Sequence, residues 1–209
     1  LRWVALKLWL YQNTGLQQLV RNTGLLDLLP TRLRAMESMA PSIKLADTFS
    51  SMPNVVPAIT PKRKRVAMLL GCVQRVFFNN VNQATARVLA AEGCEVVIPQ
   101  GQGCCGALMF HTGLEDEALA MARQFIDAFE AELATVDAIV INAAGCGSTL
   151  KEYGYLLRND PNYATRAQAL AEKCRDVSEV LSDLEPQATR HALPLRIACL
   201  LYTSDAADE

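Results

Sequence analysis

Two hydrophobic rhythms divide this chain near residue 66. Over residues 1–45 apolar positions recur at helical spacing: Trp3, Leu6 and Leu10, then Leu16, Leu19 and Val20, then Leu25, Leu26, Leu28 and Leu29. Gly15, Gly24 and Pro30 interrupt them, which predicts short helices rather than one rod. Residues 46–65 hold Pro53, Pro57 and Pro61 among small polar side chains and close on the basic run Lys62–Arg65. They read as a linker, with the basic run a solvated lead-in to a strand. From residue 66 short apolar runs alternate with longer helical stretches. Strands are expected at 66–72 (VAMLLGC), at 94–99 (CEVVIP), at the start of 137–146 (DAIVINAAGC) and at 195–198 (LRIA). Helices are expected at 82–92, 114–133, 148–157 and 161–183. Continuous apolar strands separated by helices define an α/β fold, a parallel sheet with helices on both faces, preceded by a short helical segment.

Composition narrows the classes of function. With 51% apolar and 20% charged residues the 209-residue chain can bury a core. A formal charge of -2 supplies no field for nucleic acid, which is set aside as a partner. The apolar runs fall well short of the roughly 20 residues that span a bilayer, so no transmembrane segment is expected. Seven cysteines, odd in number and irregular in spacing, do not resemble a secreted disulfide scaffold. Reduced thiols for metal or redox chemistry fit better.

The strand map gives four of these cysteines a common address. Cys72 ends the first strand, Cys104 and Cys105 follow the second, and Cys146 follows the third. Ligands of an open parallel sheet collect beyond the carboxyl ends of its strands, so the four thiols are expected to converge there. Each stands beside glycine: Gly71, Gly103, Gly106, Gly145 and Gly147. Glycine admits positive φ and lets backbone N–H groups approach anionic sulfur. Adjacent side chains of an extended strand diverge, so Cys104 and Cys105 can serve one ligand only across a sharp turn. Mononuclear zinc prefers thiolates two to four residues apart, whereas neighbouring thiolates can bind different irons of a cluster. The residues favour iron–sulfur and leave zinc open as the alternative. A single such cysteine would be read as a small buried apolar residue, the reading kept for Cys94 and Cys174.

At these residues the chain resembles the cysteine-rich CCG domain of glycolate oxidase iron–sulfur subunits, of heterodisulfide reductases and of related lactate-utilisation and glycerol-3-phosphate dehydrogenase subunits. GCVQ followed by NQATARVLAAEG, GCCGAL followed by His111, and GCGSTLKEYGYLL followed by NDPNYATRA carry the likeness to the glycolate oxidase branch. The likeness covers residues 1–198. The family pattern is one cysteine, a spacer of about thirty residues, a CC pair, a second spacer and CxxC. Here 31 residues separate Cys72 from Cys104 and 40 separate Cys105 from Cys146. Thr149 stands where the last cysteine would be, as in the glycolate oxidase branch, leaving four thiolates for a 4Fe–4S or related cluster.

The resemblance implies a first CCG domain at 66–198. It also implies an oxidoreductase subunit that passes electrons from a flavin-containing glycolate oxidase subunit indirectly towards the quinone pool. The setting would be cytoplasmic, or peripheral at the inner face of the membrane. His111, Thr149 and Asn142 are the expected neighbours of the ligands; no residue is expected to be catalytic in its own right. Lys151, Glu152 and Tyr153 either line the same edge or form a solvated helical turn. Two other classes compete: a zinc-stabilised docking module, and a thiol or disulfide reductase of heterodisulfide reductase type acting through Cys104 and Cys105. The chain opens on Leu1 and has no cysteine before Cys72, so it reads as a fragment lacking the family's ferredoxin-like part and second CCG module. Residues 199–209 read as a non-native tail.

Overall fold

In the computed structural model, which describes residues 1–192 and 194–195, five strands form one sheet in the order β1-β3-β2-β4-β5. The strands are β1 (Val55–Val56), β2 (Lys64–Met68), β3 (Cys94–Val97), β4 (Ala138–Ile141) and β5 (Cys174–Asp176). β2, β3, β4 and β5 run parallel, and β1 adds an antiparallel edge through Val55 opposite Val97 and Val56 opposite Val96. Residues 46–65 are therefore more than a tether: two β-branched residues dock on the sheet, and β2 already begins at Lys64.

Among the described residues twelve α-helices accompany the sheet. α1 (Arg2–Asn13), α2 (Leu16–Asn22), α3 (Thr31–Ser38) and α4 (Leu45–Phe49) precede it, with a 3-10 turn at Leu25–Leu28. These are the short helices expected from the glycine and proline spacing. α5 (Gln74–Phe77) and α6 (Asn79–Ala91) link β2 to β3, and α7 (Ala107–His111) and α8 (Glu115–Leu133) link β3 to β4. α9 (Ala144–Lys151), α10 (Tyr153–Leu156) and α11 (Ala164–Lys173) lead from β4 to β5, and α12 (Val177–Ser182) follows.

Strand periodicity sorts the core into two layers. Ala67, Leu69, Ile139 and Ile141 face Phe125, Ile126 and Phe129 of α8, Leu150 of α9 and Leu170 of α11. Val66, Met68, Ala138 and Val140 face Ala86 and Leu89 of α6 and Val180 of α12 on the other side. A third, smaller cluster of Ala5, Ile43 and Val76 fixes α1 against α5. Helices thus cover both faces of a mostly parallel sheet, as the continuous apolar strands require.

The helix expected over 161–183 is wrong in its middle. α11 ends at Lys173, and Cys174, Arg175 and Asp176 pair with Ile139, Val140 and Ile141. Asp176 then starts α12 with a capping box, its side chain accepting from the Ser178 N–H while Glu179 accepts from the Asp176 N–H. The strand expected at 195–198 lies, apart from Leu195, outside the described residues, as do residues 199–209. Among the described residues no helix is long and apolar enough to cross a membrane.

Candidate metal centre

Three loops at the carboxyl edge of β2, β3 and β4 carry the four glycine-flanked cysteines. Cys72 follows β2 after Gly71, whose φ of +69° turns the chain into α5. Cys104 and Cys105 precede α7, and Gly106 at φ +79° makes the turn between them and the helix. That position admits only glycine, because a Cβ there would stand 2.8 Å from the Ala118 carbonyl oxygen. Cys146 lies in the first turn of α9.

The thiols meet as two pairs. Cys72 Sγ lies 3.4 Å from Cys104 Sγ, and Cys105 donates to Cys146. The adjacent cysteines therefore face different partners, each reaching into a separate loop. Cys105 is buried, while Cys72, Cys104 and Cys146 are partly exposed. Backbone amides support the sulfurs: the Gly106 N–H lies 3.5 Å from Cys104 Sγ, and the N–H groups of Val73 and Ala107 favour the thiolates of Cys72 and Cys105. Cys72 is pushed up to about 11, first by burial and then by its bond to Cys104. Cys105 is pushed up by its bond to Cys146 and by burial, and accepting that bond holds Cys146 below the ordinary thiol value.

Polar side chains lock these loops to the sheet. Gln102, buried, accepts from the Leu70 N–H at 3.0 Å and donates to the carbonyls of Met68 and Pro99, each at 3.0 Å. It thereby joins the Cys72 loop to the Cys104 loop. Arg75 Nη1 donates to the Gln102 carbonyl at 2.6 Å. Asn142 lies in a polar network that reaches the Cys72 loop through Gln74: it accepts from Gln74 at 2.8 Å and donates to Asn82 at 3.1 Å and Thr85 at 2.9 Å. Tyr153, buried, donates to the Cys105 carbonyl at 2.6 Å.

The other expected neighbours divide. Thr149 is buried three residues after Cys146, its hydroxyl 3.3 Å from the Gly145 carbonyl. His111 ends α7 exposed, edge-on to Phe110, and bonds to no cysteine sulfur among the described residues. Lys151 and Glu152 are solvated, with Lys151 2.8 Å from Glu179. Cys94 and Cys174 are fully buried in the two core layers, away from this edge. Gln102 and Arg75 carry no sequence signal of their own, and Gln74 and Asn82, though inside the stretches GCVQ and NQATARVLAAEG, show their bonding role only once the fold brings them together.

The donor set suits an iron–sulfur group, which thiolates hold and N–H groups to sulfur tune. Gly103 and Gly145, next to Cys104 and Cys146 in the chain, stand in open space, where a Cβ would meet nothing within 4 Å. No three or more His, Cys, Asp or Glu side chains among the described residues are set to hold one metal ion. Zinc, the alternative, finds no support in this arrangement.

The fold and the cysteine edge define a cysteine-rich α/β domain, and comparison with known proteins agrees: residues 66–151 match the CCG cysteine-rich domain family. Residues 1–40 match the linker region of the glycolate oxidase iron–sulfur subunit. The chain is 43% identical over 176 residues to a probable glycolate oxidase iron–sulfur subunit of Bacillus subtilis, covering 84% of this chain and 39% of that protein. It is 40% identical over 157 residues to the glycolate oxidase iron–sulfur subunit of Escherichia coli, covering 74% and 38%. A lactate utilization protein A of Bacillus licheniformis is 31% identical over 152 residues, covering 68% and 62%. The chain thus spans about two fifths of the length of its glycolate oxidase relatives. No solved structure matches it.

Proposed function

We propose that this chain is the cluster-bearing part of the iron–sulfur subunit of a glycolate, or related 2-hydroxy-acid, oxidase. Cys72, Cys104, Cys105 and Cys146 are the proposed ligands of a 4Fe–4S or related cluster. The observation that carries the reading is that three loops bring these thiols to one sheet edge as two pairs, Cys72 with Cys104 at 3.4 Å and Cys105 with Cys146, the adjacent Cys104 and Cys105 joining the pairs through the chain. When bound, the cluster supplies reversible one-electron transfer. The substrate chemistry belongs to a flavin-containing partner, from which electrons pass towards quinone on the cytoplasmic side.

The chain's own residues prepare the edge for this work. Gly71 and Gly106 turn the loops inward, and Gln102 ties Cys72 and Cys104 to one strand end. Amides of Val73, Gly106 and Ala107 stabilise negative sulfur. Tyr153 holds the Cys105 carbonyl from beneath. In domain terms, residues 66–198 form the first CCG domain and residues 1–45 the helical segment before it.

Anaerobic reconstitution followed by metal and sulfide analysis tests the reading. About four irons with matching acid-labile sulfide per chain are expected, and the visible absorbance should bleach when glycolate and the flavoprotein partner are added. One zinc and no sulfide would overturn it. Thiols of a metal-free chain that reduce a disulfide substrate catalytically would favour the reductase reading instead.

A further inference from the structure

A cavity of about 480 Å³ opens beside Cys72, a size within the range of small-molecule sites. It lies between α1, the Cys72 loop and the loop after β3. Arg2 and Arg75 line it, and no Asp or Glu does among the described residues. Arg75 is held in place by the Gln102 carbonyl at 2.6 Å, and its other N–H groups have no protein acceptor among the described residues. Leu70, Val76 and Ile98 supply apolar wall alongside these cations.

We propose that this cavity binds a small carboxylate anion. A guanidinium fork fixed at one end matches the two oxygens of a carboxylate. Arg2 adds a second positive charge to the lining, and the apolar wall suits a short aliphatic body. Phosphate, with more oxygens to satisfy and no apolar body, fits this lining less well. The binding itself does not depend on what Cys72 holds. Only coupling between anion and cluster rests on the iron–sulfur reading: Cys72 lines the cavity, and whatever factor the cluster adds to or takes from anion affinity, the anion returns to the cluster.

The test is titration of the full 209-residue chain, before and after anaerobic reconstitution with iron and sulfide, against acetate, glycolate, inorganic phosphate and neutral acetamide, followed by NMR and calorimetry. Acetate and glycolate should bind and shift signals of Arg75 and the Cys72 loop. Arg75→Met should weaken them by about tenfold or more, Arg75→Lys by less, and exposed Arg87→Met not at all. If Arg75→Met fails to fold, Arg2→Met decides, with a smaller loss expected. Acetamide binding as well as acetate, phosphate binding more tightly than either carboxylate, or Arg75 variants binding like the parent would overturn the proposal. Cys146→Ser removes a proposed iron ligand that does not line the cavity, so carboxylate binding should survive it while iron is lost. A chain that binds acetate but never iron refutes the cluster alone; one that binds iron but no carboxylate refutes the cavity alone.

Discussion

Gly103 and Gly106 flank the same cysteine pair for different physical reasons, and substitution separates them. Gly106→Ala forces a side chain into a positive-φ backbone and against the Ala118 carbonyl. It should cost about 1–3 kcal/mol or more in denaturant unfolding. Gly103 has ordinary φ and open space around it, so Gly103→Ala should leave stability within about 0.5 kcal/mol. Iron uptake should nevertheless fall, because the methyl is added next to the proposed ligand Cys104. A Gly103→Ala chain that loads iron like the parent would show that this space is not used. The four cysteines were legible in the sequence because strand ends, glycines and the CC pair mark them together. Gln102 was not: its role exists only once the fold brings the Leu70 N–H and the Met68 carbonyl within reach of one amide.

Among elements, the loop after β3 depends on that amide. Gln102→Ala leaves a buried N–H and two carbonyls without this partner, so a loss of about 2–3 kcal/mol is expected, with iron uptake falling further than stability alone explains. β5 and α12 show where periodicity misleads. Three residues, Cys174 to Asp176, sit inside a run with helical spacing, and a tertiary partner, β4, decides their state. The capping box at Asp176 was the available signal for a new helix start. Asp176→Ala should cost about 1 kcal/mol.

At the scale of the molecule, stability is unevenly spread. α2, the 3-10 turn and α3 bury no residue completely, and Trp3, Leu28 and Met39 are 77%, 81% and 74% exposed. β4 is buried throughout and β2 over its last three residues, so amide hydrogen exchange should be fast across residues 16–38 and slow in β2 and β4. At the far end of the fold, the Gln187 N–H donates to Glu92 at 2.7 Å, and this bond, helped by Arg190, holds the Glu92 carboxyl below its ordinary value of 4.5. A carboxylate depressed in the folded state stabilises above its unfolded value, and that contribution is lost as pH falls through the folded value. The Gln187 amide signal should therefore titrate with a midpoint below 4.5, and Glu92→Gln should abolish the titration.

The parallel architecture was readable from its apolar strands, and through it the edge where the thiols gather. Whether those thiols share one polynuclear group is the claim on which the functional account stands. Iron K-edge absorption on the reconstituted chain, with Cys72→Ser, Cys104→Ser, Cys105→Ser, Cys146→Ser and buried Cys174→Ser alongside, tests it most directly. Iron in an all-sulfur shell with iron neighbours is expected, lost or altered in each of the first four variants and unchanged in Cys174→Ser. Isolated iron without iron neighbours, or a spectrum indifferent to the four substitutions, would contradict it.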